Sequence, residues 1–514
     1  HGAQRARSLF DCMQGGMGSS DDGGKYRLDA VARPDEITYG AVLRALRYSR
    51  RSKDAMYADE LCKEMIAKYD AGEEGSVRPT ARHFAAAIAA LSESRQDRDR
   101  AAQKTQQLLD ILLSRYRESG GDPKLMPDRH IFSDVITALA RSRKGSRNAE
   151  KVLGLLDSLK ELHAETEADA LQPNAVVYGA ALHALSAMKG DQQAIDKMEE
   201  MMNEMRENSI EPNNVCYNSL ISAYAATGRG FKVEEILRAM EERYMETGEE
   251  ALKPNVVVYT NAINAWSRTR NPDAVKRART LLDEMIEQYS NGDENMKPNS
   301  HTFTSMINVL WRSGGDDAAK NAETILEMME ERFEDGDVEA SPSSHAYTST
   351  INAWARSRAP NKAVRSLEIL RRAEAQYRTG NFDAKPTVFM YTAVLNACAY
   401  TRGSRKDVEK AKLLISNVWE SMVESEDIRP NAVSYNTVFI AYGNLVDDDK
   451  EREKLVAATL KLCLQEGHLT QRIIETLQKV APGVQKRLAS GGSGLANIRR
   501  LPKEYSRNVN SRTY

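Results

Sequence analysis

The chain has 514 residues, more than the roughly 100 to 200 of a usual domain, so several domains or one elongated repeat array are expected rather than a single globule. It is 41% hydrophobic and 28% charged, and no stretch approaches the roughly 20 apolar residues of a bilayer-spanning helix, which excludes an integral helical membrane protein. With 72 Lys and Arg against 74 Asp and Glu, the net charge of -2 gives no global attraction to nucleic acid, so any such binding must rest on segregated charge.

The chain opens at His1, so the true N-terminus is expected upstream and a targeting segment would be invisible. Residues 1–35 contain QRARSLFDCM, which reads as the tail of a second helix whose own first helix is missing; the array is expected to be longer. From Arg33 a motif then recurs: a proline, a small polar residue and an aromatic four positions later. Its ten copies start at Arg33, Arg78, Met126, Gln172, Glu211, Lys253, Lys297, Ser341, Lys385 and Arg429. The aromatics are Tyr39, Phe84, Phe132, Tyr178, Tyr217, Tyr259, Phe303, Tyr347, Tyr391 and Tyr435, spaced 39 to 48 residues apart with the last four intervals all 44. Such a fixed period marks a repeat architecture.

Each copy opens a first helix, since Tyr217, Leu220, Ile221 and Tyr224 follow the i, i+3, i+4, i+7 pattern, as do Tyr391, Val394, Leu395 and Cys398. A polar turn such as SRTRNPD from Ser267 follows, and then a second helix in which Val275, Ala278, Leu282, Met285 and Tyr289 step by three and four. A loop such as SNGDENMK closes the unit, and its variable length accounts for much of the variation in period. One such pair buries a single apolar stripe and needs neighbours, so the units stack into an all-α fold, an α-solenoid. The repeats span residues 36–470. A capping helix is expected over 471–482, and residues 483–514 form a basic C-terminal tail, loosely ordered, with Lys486, Arg487, Arg499, Arg500, Lys503, Arg507 and Arg512 against Glu504.

Segments such as PNVVVYTNAINAW, PNNVCYNSLISAY and PNAVSYNTVFIAY, with second helices carrying ILRAM and LLDEM, resemble pentatricopeptide repeats. The tetratricopeptide pattern of tryptophan, glycine and late tyrosine is missing. The units here exceed the roughly thirty-five residues of the family's usual repeat, which puts the pitch of the array in question. The resemblance implies a right-handed superhelix of stacked antiparallel helix pairs, and a single-stranded RNA ligand read one base per repeat by two or three side chains.

Two positions are implied to read the base, the residue after the aromatic and the residue after the next proline. The pairs are Gly40 with Thr80, Ala85 with Asp128, Ser133 with Asn174, Gly179 with Asn213 and Asn218 with Asn255. They continue as Thr260 with Asn299, Thr304 with Ser343, Thr348 with Thr387, Thr392 with Asn431, and Asn436 with Thr470. Gly and Ala cannot read, which leaves Ser133, Asn174, Asn218, Asn255, Thr260, Asn299, Thr304, Ser343, Thr348, Thr387, Thr392, Asn431 and Asn436 as candidate base-reading residues. The post-proline residues all belong to the helix-capping set and capping alone would explain them. Asn and Thr after the aromatic sit in a helix interior that they do not favour, so helicity does not explain those. The repeat aromatics and Trp266, Trp311 and Trp354 lie on the apolar stripe and are expected in the core. Arg141, Arg268, Arg312 and Arg356 hold equivalent places late in the first helix, where the family commonly places a lysine near the RNA backbone; a cation at a helix C-terminus is the plainer reading.

No catalytic constellation is found. His163 and Glu165 match the HxE of a zinc deaminase, but no Cys-x-x-Cys completes the site. No phosphate-cradling glycine-rich motif or nucleophile elbow occurs, and the five widely spaced cysteines fit neither a disulfide framework nor a metal cluster, which is the usage of a reducing compartment. The expectation is therefore a non-catalytic, single-stranded-RNA-binding solenoid without metal or cofactor, small-molecule substrate or membrane. By resemblance it serves organellar RNA processing, stability or translation in a mitochondrion or chloroplast. The alternative is an α-solenoid scaffold for a protein partner.

Overall fold

A computed structural model describes residues 2–13, 18–19, 25–26, 34–49, 51–142, 145–269, 271–489, 505 and 507–508. The chain divides into two compact units, residues 1–227 with 232–254, and residues 228–231 with 255–514. In the first, α1 (Gly2–Met13) precedes the pairs α2 (Glu36–Ser49) and α3 (Ser52–Asp70), α4 (Ala81–Ser92) and α5 (Arg98–Glu118), and α6 (Arg129–Arg141) and α7 (Ala149–Thr166). They are followed by α8 (Ala175–Ser186) and α9 (Gln192–Glu207), and by α10 (Asn214–Thr227), after which α11 spans Gly230–Thr247. The second unit pairs α12 (Val256–Ser267) with α13 (Ala274–Ser290), α14 (Ser300–Ser313) with α15 (Asp316–Glu334), and α16 (Ser344–Arg356) with α17 (Lys362–Arg378). It ends with α18 (Val388–Ala399) and α19 (Arg405–Glu424), α20 (Ala432–Leu445) and α21 (Asp449–Gln465), and then α22 (Gln471–Val480) and α23 (Pro482–Ala489). The only strands among the described residues are a two-residue antiparallel pair, Gly18–Ser19 with Lys25–Tyr26.

The apolar stripes dictate the stacking. Within each unit every first helix packs on the next first helix, as in α4 on α6 or α16 on α18, and α4, α6, α8, α14, α16, α18 and α20 also pack on their own second helix and the preceding one. This is an α-solenoid. All ten repeat aromatics are buried, and each stabilises its layer by about 2–3 kcal/mol through area removed from water. Trp266 and Trp354 join them, whereas Trp311 is only half-buried, with the Arg312 guanidinium 5.1 Å from its ring. Burial of a phenol demands a partner for its hydroxyl. Tyr178 donates to Glu204 at 3.0 Å, Tyr347 to Glu330 at 2.7 Å, and Tyr391 to Glu374 at 2.6 Å, tying first helices to second helices. Desolvation and the adjacent carboxylate push these phenols above their ordinary range, so they remain donors.

A buried ionic cluster joins two repeats of the second unit. Glu323 on α15 accepts from the Trp354 indole at 2.8 Å and pairs with Arg365 and Arg372 on α17, while Arg372 also grips Glu330. The described cysteines Cys62, Cys216, Cys398 and Cys463 are free and buried, and burial raises their thiols to about 11 or 12, far from a reactive thiolate. At the C-terminal end, Thr470 caps α22, and α23 follows with Val484 buried where the basic tail was expected to begin. Further on, Tyr505 accepts from the Leu469 N–H and Arg507 donates to the Gln465 carbonyl, at 2.7 and 2.8 Å. Most of the tail lies outside the described residues.

Because each repeat rests on its neighbours, deleting the whole unit Val256–Asn299 is expected to give a shorter helical chain that still melts cooperatively. Removing only Ala274–Asn299 exposes the stripe that α13 covers and should abolish cooperative melting by circular dichroism.

Candidate nucleic-acid interface

The proline before each first helix cannot continue a hydrogen-bonded turn, and the next residue must satisfy the helix's free N–H groups. The structure shows this directly. Asn174, Asn213, Asn255, Asn299 and Asn431 each accept two backbone N–H bonds through Oδ1, at 2.9 to 3.3 Å. Asp35, Asp128, Ser343, Thr387 and Thr470 each accept one from the first turn of the helix they open. Thr80 pairs instead with His83, whose Nδ1 lies 3.0 Å from its hydroxyl. The Asn caps are half-buried with the oxygen consumed, so the carboxamide has only its NH2 left to offer a ligand.

The post-aromatic residues sit in the seam between neighbouring first helices. Ser133, Thr304 and Asn436 are 9%, 7% and 6% exposed, more enclosed than candidate base readers on an open face would be, whereas Asn218, Thr260, Thr348 and Thr392 are half-buried. Across the seam the Thr260 hydroxyl lies 2.8 Å from that of Thr302, and Thr392 lies 2.7 Å from Ser434. Thr348 donates to the Ser344 carbonyl at 2.6 Å, and Asn436 accepts from Thr476 at 2.7 Å. The buried Thr304 hydroxyl has no partner. In the first unit Gly179 serves packing: a Cβ there would stand 3.3 Å from Val215 on the next first helix.

A groove of about 580 Å³ in the second unit brings several of these residues together. Thr348, Thr392 and Asn436 line it, with Thr470 from the start of α22; Thr387 and Asn431 are not in its wall. Its wall also holds Phe389, 67% exposed, together with Asn352, Asn396, Tyr400 and Arg472. None of these was singled out from sequence, although Asn264, Asn308, Asn352 and Asn396 recur five residues after the aromatic at 44-residue intervals, a readable signal. The first unit has a different groove, of about 500 Å³, with Gly40 and Ala85 at reading positions beside Arg44, Arg47 and Asp134. Burial lifts the Asp134 carboxyl to about 6 against the pull of Arg47, and Arg47 is itself bonded to Glu93 at 2.8 Å.

Arg268, Arg312 and Arg356 are exposed at the ends of α12, α14 and α16. Partial burial, then repulsion from Arg268 and Arg356, lowers the pKa of Arg312, which places Arg312 within electrostatic reach of both neighbouring cations. An anion there relieves the repulsion. Arg141 lies in the first unit, close enough to His183 to help burial depress that imidazole. The His163 ring faces the Ala168 carbonyl at 3.1 Å as α7 ends, a local contact.

A model of the pentatricopeptide repeat domain matches residues 161–229 and 380–445, and a second model, of the PPR repeat, matches residues 215–245. The matched segments are pentatricopeptide repeats. No curated protein matches it. Among solved structures, the chain is similar to the pentatricopeptide repeat protein PPR10 in complex with an 18-nt psaJ RNA element, at 16% identity and TM-score 0.49. That alignment covers 88% of this chain, which spans 61% of the other. PPR10 from maize gives 18% identity and TM-score 0.36 over 90% of this chain and 70% of that one. Yeast Rmd9p in complex with a 16-nt target RNA gives 12% and 0.36 over 88% and 80%. The repeats matched by the domain model include the α18–α20 part of the groove.

The two roles of the capping asparagines separate by substitution. Asn431→Ala removes cap and donor together and should lower stability by about 1 kcal/mol. Asn431→Asp keeps the accepting oxygen beside the positive helix end and should leave the melting temperature unchanged or higher. A melting temperature that falls equally in both variants would contradict the cap geometry.

Proposed function

We propose that this chain binds single-stranded RNA along its first helices, reads bases with the paired post-aromatic and post-proline residues, and does so without catalysis. The reading places it in organellar RNA processing, stability or translation, in a mitochondrion or chloroplast. The observation that carries it is the second unit's groove, where Thr348, Thr392 and Asn436 meet exposed Phe389 and Val433. Apolar side chains there offer stacking surface, which every base can use, while hydroxyls and amides offer selective hydrogen bonds. Arg268, Arg312 and Arg356 supply the cationic edge that net composition lacks.

In the family's pairing, Ser or Thr with Asn goes with adenine and two Asn with a pyrimidine, the N-terminal repeat lying toward the 5′ end. The expected ligand therefore contains 5′-A-N-Y-A-N-N-A across repeats three to nine. The first unit supports a second reading, a surface for a protein partner, because Gly40, Ala85 and Gly179 have no reading side chain and Arg47 in its groove is already paired with Glu93.

Selection from a random RNA pool at two salt concentrations tests the proposal. Changing Arg268, Arg312 and Arg356 to Gln should flatten the log-log salt slope by about 2 without altering base preference. Thr392→Asn should move one base from adenine to pyrimidine by roughly tenfold and leave the others unchanged. A preference that does not move refutes reading through these pairs, and an absence of RNA binding at low salt favours the protein partner.

A further inference from the structure

Four asparagines, Asn264, Asn308, Asn352 and Asn396, stand four residues after Thr260, Thr304, Thr348 and Thr392, and in three of these helices an arginine stands four residues further on. At about 1.5 Å rise per residue, the asparagine lies about 6 Å and the arginine about 12 Å along the helix from the threonine. A nucleotide with its base edge at the threonine and its phosphate at the arginine has its sugar at the asparagine. We propose that this row recognises the ribose 2′-hydroxyl and so lets the chain distinguish RNA from DNA; the proposal rests on the RNA reading above.

A structural role accounts for part of the row, since Asn264 accepts from Ser267 of its own helix at 3.2 Å. Asn308 does staple two repeats: it accepts from Ser349 at 2.8 Å, and its Nδ2 lies 3.4 Å from Nε2 of His345. The residue equivalent to Ser349 in the next repeat is Ala393, which has no hydrogen-bonding side chain to offer Asn352. Asn352 and Asn396 are half-buried and line the groove beside Thr348 and Thr392. Asn also disfavours a helix interior, so helicity does not select it there. A carboxamide both donates and accepts, as does a 2′-hydroxyl, whereas a deoxyribose offers a C–H and leaves the half-buried amide unpaired.

The test uses the full chain, a short single-stranded RNA containing 5′-A-N-Y-A-N-N-A, and the same sequence as DNA with uracil for thymine. The wild type is expected to bind the RNA roughly tenfold more tightly than the DNA. The Asn352→Ala/Asn396→Ala variant should lose roughly tenfold on RNA and less than about twofold on DNA, with an unchanged salt slope because no charge is altered. Alanine favours helices, and an unchanged melting temperature confirms a folded variant. Single 2′-deoxy substitutions in the RNA give a readout that needs no variant: some should weaken wild-type binding and have no further effect in the double variant. Equal losses on RNA and DNA, or deoxy penalties identical in both proteins, overturn the ribose assignment while RNA binding stands. A wild type that binds neither strand overturns the RNA reading and this inference with it.

Discussion

Every first helix from α2 to α20 must satisfy the free N–H groups of its opening turn just after a proline, and it does so with the side chain of the next residue. That constraint selects Asn, Asp, Ser or Thr at ten equivalent positions and fixes how each is oriented. Where Asn serves, its oxygen is held by two backbone donors, and the amide has only its NH2 to offer. In the proposed reading helix stability and ligand chemistry are thus joined in one side chain, whose NH2 the cap orients.

The aromatic five residues after the proline anchors the same helix from below. Its burial, and the Tyr-to-Glu bonds beneath, hold the first helix against second helices, so the following residue faces the seam. The seam is tight. Thr260 meets Thr302 and Thr392 meets Ser434 across it, and Gly179 lets Val215 approach where a side chain would intrude. In the second unit the seam broadens into a groove walled by small polar residues and two exposed aromatics, Phe389 and Tyr400, while Arg268, Arg312 and Arg356 at the ends of α12, α14 and α16 stand outside its wall. The first unit presents the small residues Gly40 and Ala85 at corresponding places, in a groove whose wall mixes arginines with carboxylates.

The repeat period, the helix pairs and the caps were legible in the chain because each follows from local rules: proline before the helix, a capping side chain, an aromatic one turn in. The enclosure of Ser133, Thr304 and Asn436 was not, because it depends on how closely successive first helices approach, which no spacing in sequence records. The proximity of Arg312 to Arg268 and Arg356 also depends on placement in space. The Asn352 and Asn396 row was readable at its 44-residue interval, outside the two positions to which the family resemblance points.

The most direct measurement is photo-crosslinking of the full chain to a bound single-stranded RNA carrying 4-thiouridine, with the modified residues located by mass spectrometry. The account predicts crosslinks on the first helices of the second unit, above all in Val388–Tyr400 and Ala432–Ile440, which contain the groove's Phe389, Tyr400 and Val433. Crosslinks confined to the second helices, or to the first unit's Gly40 and Ala85 groove, would contradict it.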